Sequence, residues 1–228
     1  KRYDDDSTRN QQTLLRKALS LVGKVSYFWG GGHDRLVKGW DDQWGFYRQV
    51  TVGGSNTYTK GKWYPYGLDC SGFVRWVYYN TYDIDIYDYI SGLDDFTDPR
   101  NPKVNGQPAF IEIPLSEAQM GDIVVYDDYS HTGIFAGIEE NGNIAIVHST
   151  TVGSDVSKNG VYWHQSAYYA DRFTHCYRLN HEAFGFDHFK WQQEQGLEIS
   201  EPFRADGLNR ILFKCAHCGA EGKMEGKG

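Results

Sequence analysis

Cys70 stands in the run Gly67-Leu68-Asp69-Cys70-Ser71-Gly72-Phe73-Val74-Arg75-Trp76-Val77, and two histidines downstream, His131 and His148, are the side chains that could serve it. A thiol becomes a nucleophile where backbone N–H groups and a helix dipole favour its anion and an imidazole can take its proton. Cys70, Phe73, Val74 and Val77 recur at i, i+3, i+4 and i+7, the period of a helix with one buried face, and Asp69 is a capping residue just ahead of it. The spacing therefore predicts a thiol at a helix start, with its pKa lowered there. In other surroundings the same residue would be a small apolar packing unit, so the reading turns on what faces it.

Three extended runs supply the candidates. Residues 121–126, 131–138 and 144–149 read as an antiparallel meander, with turns at 127–130 and at the Asn-Gly of 139–143. On the second strand His131, Gly133 and Phe135 share a face; on the third, His148 shares one with Ile146 and Ile144. Each histidine sits at a strand end, and antiparallel neighbours bring such ends together when the register permits. A helix-start cysteine, a histidine and a second polar side chain holding that histidine form the nucleophile, base and orienter of thiol acyl transfer.

The elements that must position these groups follow from the rest of the pattern. Residues 1–10 are a polar lead-in; from Gln11 a helix is predicted, with Leu14, Ala18 and Leu21 on one stripe and Gly23 as its stop. Val25-Ser26-Tyr27-Phe28-Trp29 runs into Gly30, Gly31 and Gly32, which serve either as a turn or as a close approach of backbones. Residues 33–66 form a long aromatic insertion, read as a flap beside Cys70 or a cap on the domain's flank. Residues 81–114 read as loop. Two more extended runs, 161–164 and 172–179, complete a sheet on which the Cys70 helix packs, so the class is α+β and the domain spans 11–180. Residues 181–228 are an extension of unknown role.

Composition narrows the function. A net charge of −7 with no basic run excludes a tracker of nucleic-acid phosphates. No apolar stretch is long enough to span a bilayer. The chain opens on Lys1 and is read as a mature or trimmed form. Cys70, Cys176, Cys215 and Cys218 are too few for a disulfide-stapled fold; Cys176 is assigned to the core. Cys215-Ala216-His217-Cys218 has the spacing of half a zinc site. No second pair completes it, so a free thiol pair or local disulfide is expected there and no metal.

The blocks Tyr27-Phe28-Trp29-Gly30-Gly31, Asp69-Cys70-Ser71-Gly72-Phe73-Val74, Gly121-Asp122-Ile123-Val124-Val125-Tyr126 with His131-Thr132-Gly133-Ile134-Phe135-Ala136-Gly137, and Ile146-Val147-His148 resemble, in order, those of the NlpC/p60-type cell-wall endopeptidases. The resemblance implies a papain-like fold and a secreted or wall-associated bacterial cysteine peptidase. Its partners would be peptidoglycan stem peptides, cut at the D-glutamyl to diamino acid bond. It implies Cys70 as nucleophile, His131 as base, His148 as orienter, Tyr27 beside the nucleophile, and Asp69 and Ser71 on the pocket for the peptide's amino end. No cofactor is implied, and a monomer is expected. Met120 and Thr132 replace the family's usual proline and valine, and the 33–66 insertion is longer than in compact members. An N-acetylmuramoyl-L-alanine amidase, a related thiol acyltransferase and an inactive wall-binding module are the rival readings.

Overall fold

The computed structural model describes residues 11–54, 57–86, 103–104, 106–140, 142–165 and 172–184. All of them lie in one compact unit that covers residues 1–184. The lead-in and the Cys215-Cys218 pair fall outside the described residues.

Helix α1 (Gln11–Ser20) buries Leu14 and Ala18 along the predicted stripe. Helix α2 (Cys70–Tyr82) starts at the cysteine: Asp69 has extended backbone, and its carboxylate accepts from the Gly72 N–H, which satisfies one donor that the first helical turn leaves open. Phe73, Val74 and Val77 are buried, as the i, i+3, i+4, i+7 spacing requires. The strands are β1 (Ser26–Tyr27), β2 (Tyr47–Gln49), β3 (Trp63–Pro65), β4 (Gly67–Leu68), β5 (Lys103–Val104), β6 (Gln107–Pro108), β7 (Phe110–Ile113), β8 (Ile123–Tyr126), β9 (Thr132–Ile138), β10 (Ile144–Thr150), β11 (Gly160–Gln165) and β12 (Phe173–Leu179).

Eight of these form one sheet in the order β4-β1-β11-β10-β9-β8-β12-β7, so the meander β8 to β11 is its centre. It is antiparallel except where β1 pairs with β4. The hairpins β2–β3 and β5–β6 stand apart from it. Strands β8, β9 and β10 are almost wholly buried, and α1 and α2 pack against β9 and β10. Cys176 is enclosed among Val124, Phe135, Ile146 and Phe173, as its place in an apolar strand suggests. This is an α+β fold with the cysteine at a helix N-terminus over a mostly antiparallel sheet.

Two sequence expectations change. The 81–114 stretch is not all loop: α2 runs on through Tyr82, and β7 pairs with β12 as a sheet edge, with Cys176 opposite Ile113. A strand this short between prolines carries almost no periodic signal; its pairing is decided by the neighbour. The second is an open alternative now decided: the glycine run is a hydrogen-bonded turn, Gly31 N to Phe28 O at 2.8 Å, and at the same time a close approach of backbones. A Cβ on Gly31 would lie 2.2 Å from the Gly67 carbonyl oxygen, and one on Gly72 would lie 1.9 Å from that of Gly31. The loop, β4 and the first turn of α2 can only meet without side chains there.

The insertion lies along the flank of α2. Trp44 packs at a tilt against Trp76, ring centroids 5.7 Å apart, and the Trp76 indole donates to the Gly39 carbonyl. Its first residue, His33, reaches the start of α2 instead.

Candidate active site

Cys70 is delivered by short constraints on either side. Ser149 Oγ of β10 donates to the Leu68 carbonyl at 2.7 Å, which ties the strand carrying His148 to the chain two residues ahead of the cysteine. The Asp69 N–H donates to Gly31 O at 3.2 Å. Arg75, buried in α2, donates to the carbonyls of Gly32 and His33 at 2.7 Å and pairs with both oxygens of Asp85, locking the glycine loop onto the helix.

The backbone N–H groups of Thr132, Ser71 and Cys70 face the sulfur. The start of β9 therefore meets the first turn of α2, and His131 is the residue next to that contact. The helix-start thiol does not have the lowered pKa expected of it. Burial, then the Asp69 charge, push the Cys70 thiol up to about 12, and the three backbone donors only partly oppose this. A dipole argument made on sequence alone cannot see how much water the fold removes.

His131 Nε2 and His148 Nδ1 share a hydrogen bond of 2.6 Å, so two of the candidate residues meet as strand geometry suggested. The contact needs a gap in the sheet. A Cβ on Gly133 would sit 2.9 Å from the Cβ of His148 and 2.8 Å from Ile146 Cγ2, so only glycine lets the two strands close over this site. Rings of Tyr126 and Phe173 flank His131. Burial, with the nearby Arg172 charge, lowers the His131 pKa to about 4. His148 has no exposed surface; burial and its two histidine neighbours hold it neutral, well below the ordinary range.

Tyr27 is buried against Tyr58, whose hydroxyl donates to the Tyr27 carbonyl at 3.0 Å. Burial raises its phenol pKa strongly, and the charges of Cys70 and Asp69 add to the effect, so the phenol stays an O–H donor in their neighbourhood.

Asp69 and Ser71 belong to a network that sequence reasoning missed. His33 Nε2 lies 3.0 Å from both Asp69 oxygens and 3.0 Å from Ser71 Oγ. Asp69 also accepts from Gly30 N at 3.1 Å and from Gly72 N at 2.7 Å. Burial works against charge on His33, but the hydrogen bond and charge of Asp69 outweigh it and the pKa is raised. Asp34, the next residue, accepts from the Tyr66 hydroxyl and pairs with Arg48. There the insertion opens a cleft of about 480 Å³, bordered by Asp34, Phe46, Tyr47, Arg48 and Tyr66.

His164 was also missed. Its Nδ1 lies 2.7 Å from His148 Nε2, making a row of three imidazoles. The signal was the register of β11 on β10, with Ile146 opposite His164 and His148 opposite Tyr162; the position of a histidine within one strand does not contain it.

Thr132, where valine was expected, satisfies its hydroxyl on the Val124 carbonyl at 2.9 Å. Asp122 accepts from Arg178 of β12 through both oxygens and from Gln119 N, so the Gly-Asp block holds the sheet together. Among the described residues no cluster of three or more His, Cys, Asp or Glu side chains could hold a metal ion.

Comparison with known proteins completes the picture. Among solved structures, the NlpC/p60 domain of the peptidoglycan hydrolase SagA is similar at 20% identity over 75% of this chain and 99% of that one, with a TM-score of 0.43. The peptidoglycan hydrolase RipB of Mycobacterium tuberculosis is similar at 20% identity over 74% of this chain and 63% of that one, with a TM-score of 0.41. RipD of the same organism, described as a non-catalytic NlpC/p60 domain protein adapted to peptidoglycan binding, is similar at 14% identity over 74% of this chain and 95% of that one, with a TM-score of 0.43. No curated protein matches. The model of the NlpC/P60 family matches residues 23–178, from the turn before β1 to the last strand of the sheet, and with the greater part of its length so matched the chain belongs to the NlpC/P60 family.

Proposed function

We propose that this protein is a bacterial cysteine peptidase, secreted or wall-associated and acting as a monomer, that hydrolyses peptidoglycan stem peptides at the D-glutamyl to diamino acid bond. The observation that carries the reading is the hydrogen bond between His131 and the buried His148, made at the strand end whose next residue, Thr132, turns its backbone N–H to the Cys70 sulfur. Cys70 gives its proton to His131 and attacks the peptide carbonyl carbon; the C–N bond breaks as His131 returns the proton to the departing amine. Water, deprotonated by His131, then opens the thioester and restores the thiol. The oxyanion is held by the Cys70 N–H at the helix start, with the neutral Tyr27 phenol as a second donor. Asp69 and Ser71 line the pocket for the peptide's amino end with His33 between them, and the cleft beyond Asp34 is where the insertion shapes substrate preference. The chemistry uses no cofactor.

The test is digestion of purified peptidoglycan, with the soluble fragments identified by mass spectrometry. The native chain releases fragments cut within the stem peptide, and Cys70→Ala, folded by circular dichroism, releases none. Release by the alanine variant overturns the reading. Fragments cut between muramic acid and alanine make the protein an amidase, and sedimentation with peptidoglycan without any release makes it a binding module.

A further inference from the structure

The row His131, His148, His164 holds more than the base and its orienter. A neutral imidazole carries one N–H, and which nitrogen bears it is set by the hydrogen bond that the other makes. His148 has both nitrogens committed, Nδ1 to His131 at 2.6 Å and Nε2 to His164 at 2.7 Å. Three neutral rings joined this way have two consistent arrangements. With every proton on Nε2, each ring donates outward along the row and the Nδ1 of His131 is left as an acceptor. With every proton on Nδ1 the row points the other way, and the same atom of His131 is blocked.

The direction is decided at the His164 end. His148 is fully enclosed and can only pass on what its neighbours impose, while His131 is committed to the reacting groups. His164 sits on β11 with its ring parallel to Tyr162, at 6° and 5.2 Å, which holds the ring plane so that Nδ1 faces His148. Desolvation disfavours a proton on both nitrogens of either His148 or His164. The charges of Arg172, Asp69 and Asp128 act on His131.

We infer that His164 is a positioning residue: by accepting at Nδ1 it fixes His148 as the Nε2–H tautomer, and through it leaves Nδ1 of His131 open to the Cys70 proton. The inference rests on the proposed function for its role in catalysis, but not for its tautomer claim. In the native chain labelled with 15N-histidine, the imidazole spectra show His148 and His131 as Nε2–H tautomers. His164→Leu, which removes the acceptor, gives a mixed population at both rings and lowers kcat about tenfold with KM unchanged, the scale typical of losing an outer partner of a reactive histidine. His164→Asp, which can only accept, keeps the Nε2–H forms and moves the acid limb of kcat/KM upward by about one unit, because a nearby carboxylate favours the imidazolium.

Native tautomers and a native kcat in His164→Leu overturn the inference. So does an equal loss of activity in the Leu and Asp variants that follows only their melting temperatures, since that describes packing. If the native chain hydrolyses nothing, the proposed function falls and the spectra alone judge His164. If His131→Ala is inactive while both His164 variants match the native chain in rate and pH profile, the function stands and the inference falls.

Discussion

The resting state of the site is set by what surrounds two atoms. With the Cys70 thiol pushed up to about 12 and the His131 imidazole held down to about 4, neither group is charged between those values. A thiolate beside an imidazolium would alkylate at a rate that levels off near neutral pH; a neutral pair does not, because the thiolate fraction keeps growing until its own pKa. We therefore expect iodoacetamide labelling of Cys70 to rise about tenfold per pH unit between pH 7 and pH 10. Cys176, fully buried, is labelled far more slowly at every pH. A plateau at neutral pH in the Cys70 rate profile would mean that the ion pair is preformed.

At the scale of elements, the site depends on how closely β9 and β10 approach. The two strands change register between Ala145 and Ile146, and the close contact beyond that irregularity is the one that joins His131 to His148. Gly133 is the hinge of this arrangement. An added methyl would meet Ile146 Cγ2, the His148 Cβ and the Val147 carbonyl oxygen at 3.1 Å or less, all of them in the buried sheet where little can give way. Gly133→Ala is expected to cost about 1–3 kcal/mol of stability, the usual range for an overpacked core. On the proposed function, activity should fall further than stability explains, because the displaced residue is the one hydrogen-bonded to His131. Denaturant titration beside the peptidoglycan assay measures both, and a variant as stable and active as the native chain would show that the strands part without consequence.

For the whole molecule, buried histidines make folding sensitive to acid. The folded pKa of His131 lies below the 6.5 of an unfolded chain, so between about pH 6.5 and pH 4 the unfolded state binds more protons than the native one. Its contribution is complete above pH 6.5 and is lost as the pH falls toward 4; on a shift of this size it is of the order of 3 kcal/mol. His148, lowered in the same sense, steepens the loss. His33 acts oppositely and in another window: its raised pKa contributes fully below pH 6.5 and fades only as the pH climbs through the folded value, so the slope between pH 6.5 and pH 4 is left to the other two. Urea midpoints measured from pH 7.5 to pH 4 should fall steadily, and His131→Asn should flatten the fall. An unchanged slope in that variant would move its origin elsewhere.

The helix start at Cys70 and the meeting of His131 with His148 were legible in the chain because they are written in local spacing. A helix-starting Asp69-Cys70, two neighbouring strands that carry His131 and His148, and four blocks in family order need no knowledge of the third dimension, although His131 stands just ahead of β9 and His148 lies inside β10 and not at its end. The β7 edge, His33 on Asp69 and His164 at the end of the row were not legible, since each exists only through a partner far away in the chain. The direction of the Cys70 shift belongs with them. Sequence names the capping residue and the dipole, which act within one turn, but the desolvation of the half-buried thiol, which with the Asp69 charge pushes its pKa up, comes from the sheet, the helix and the glycine loop together.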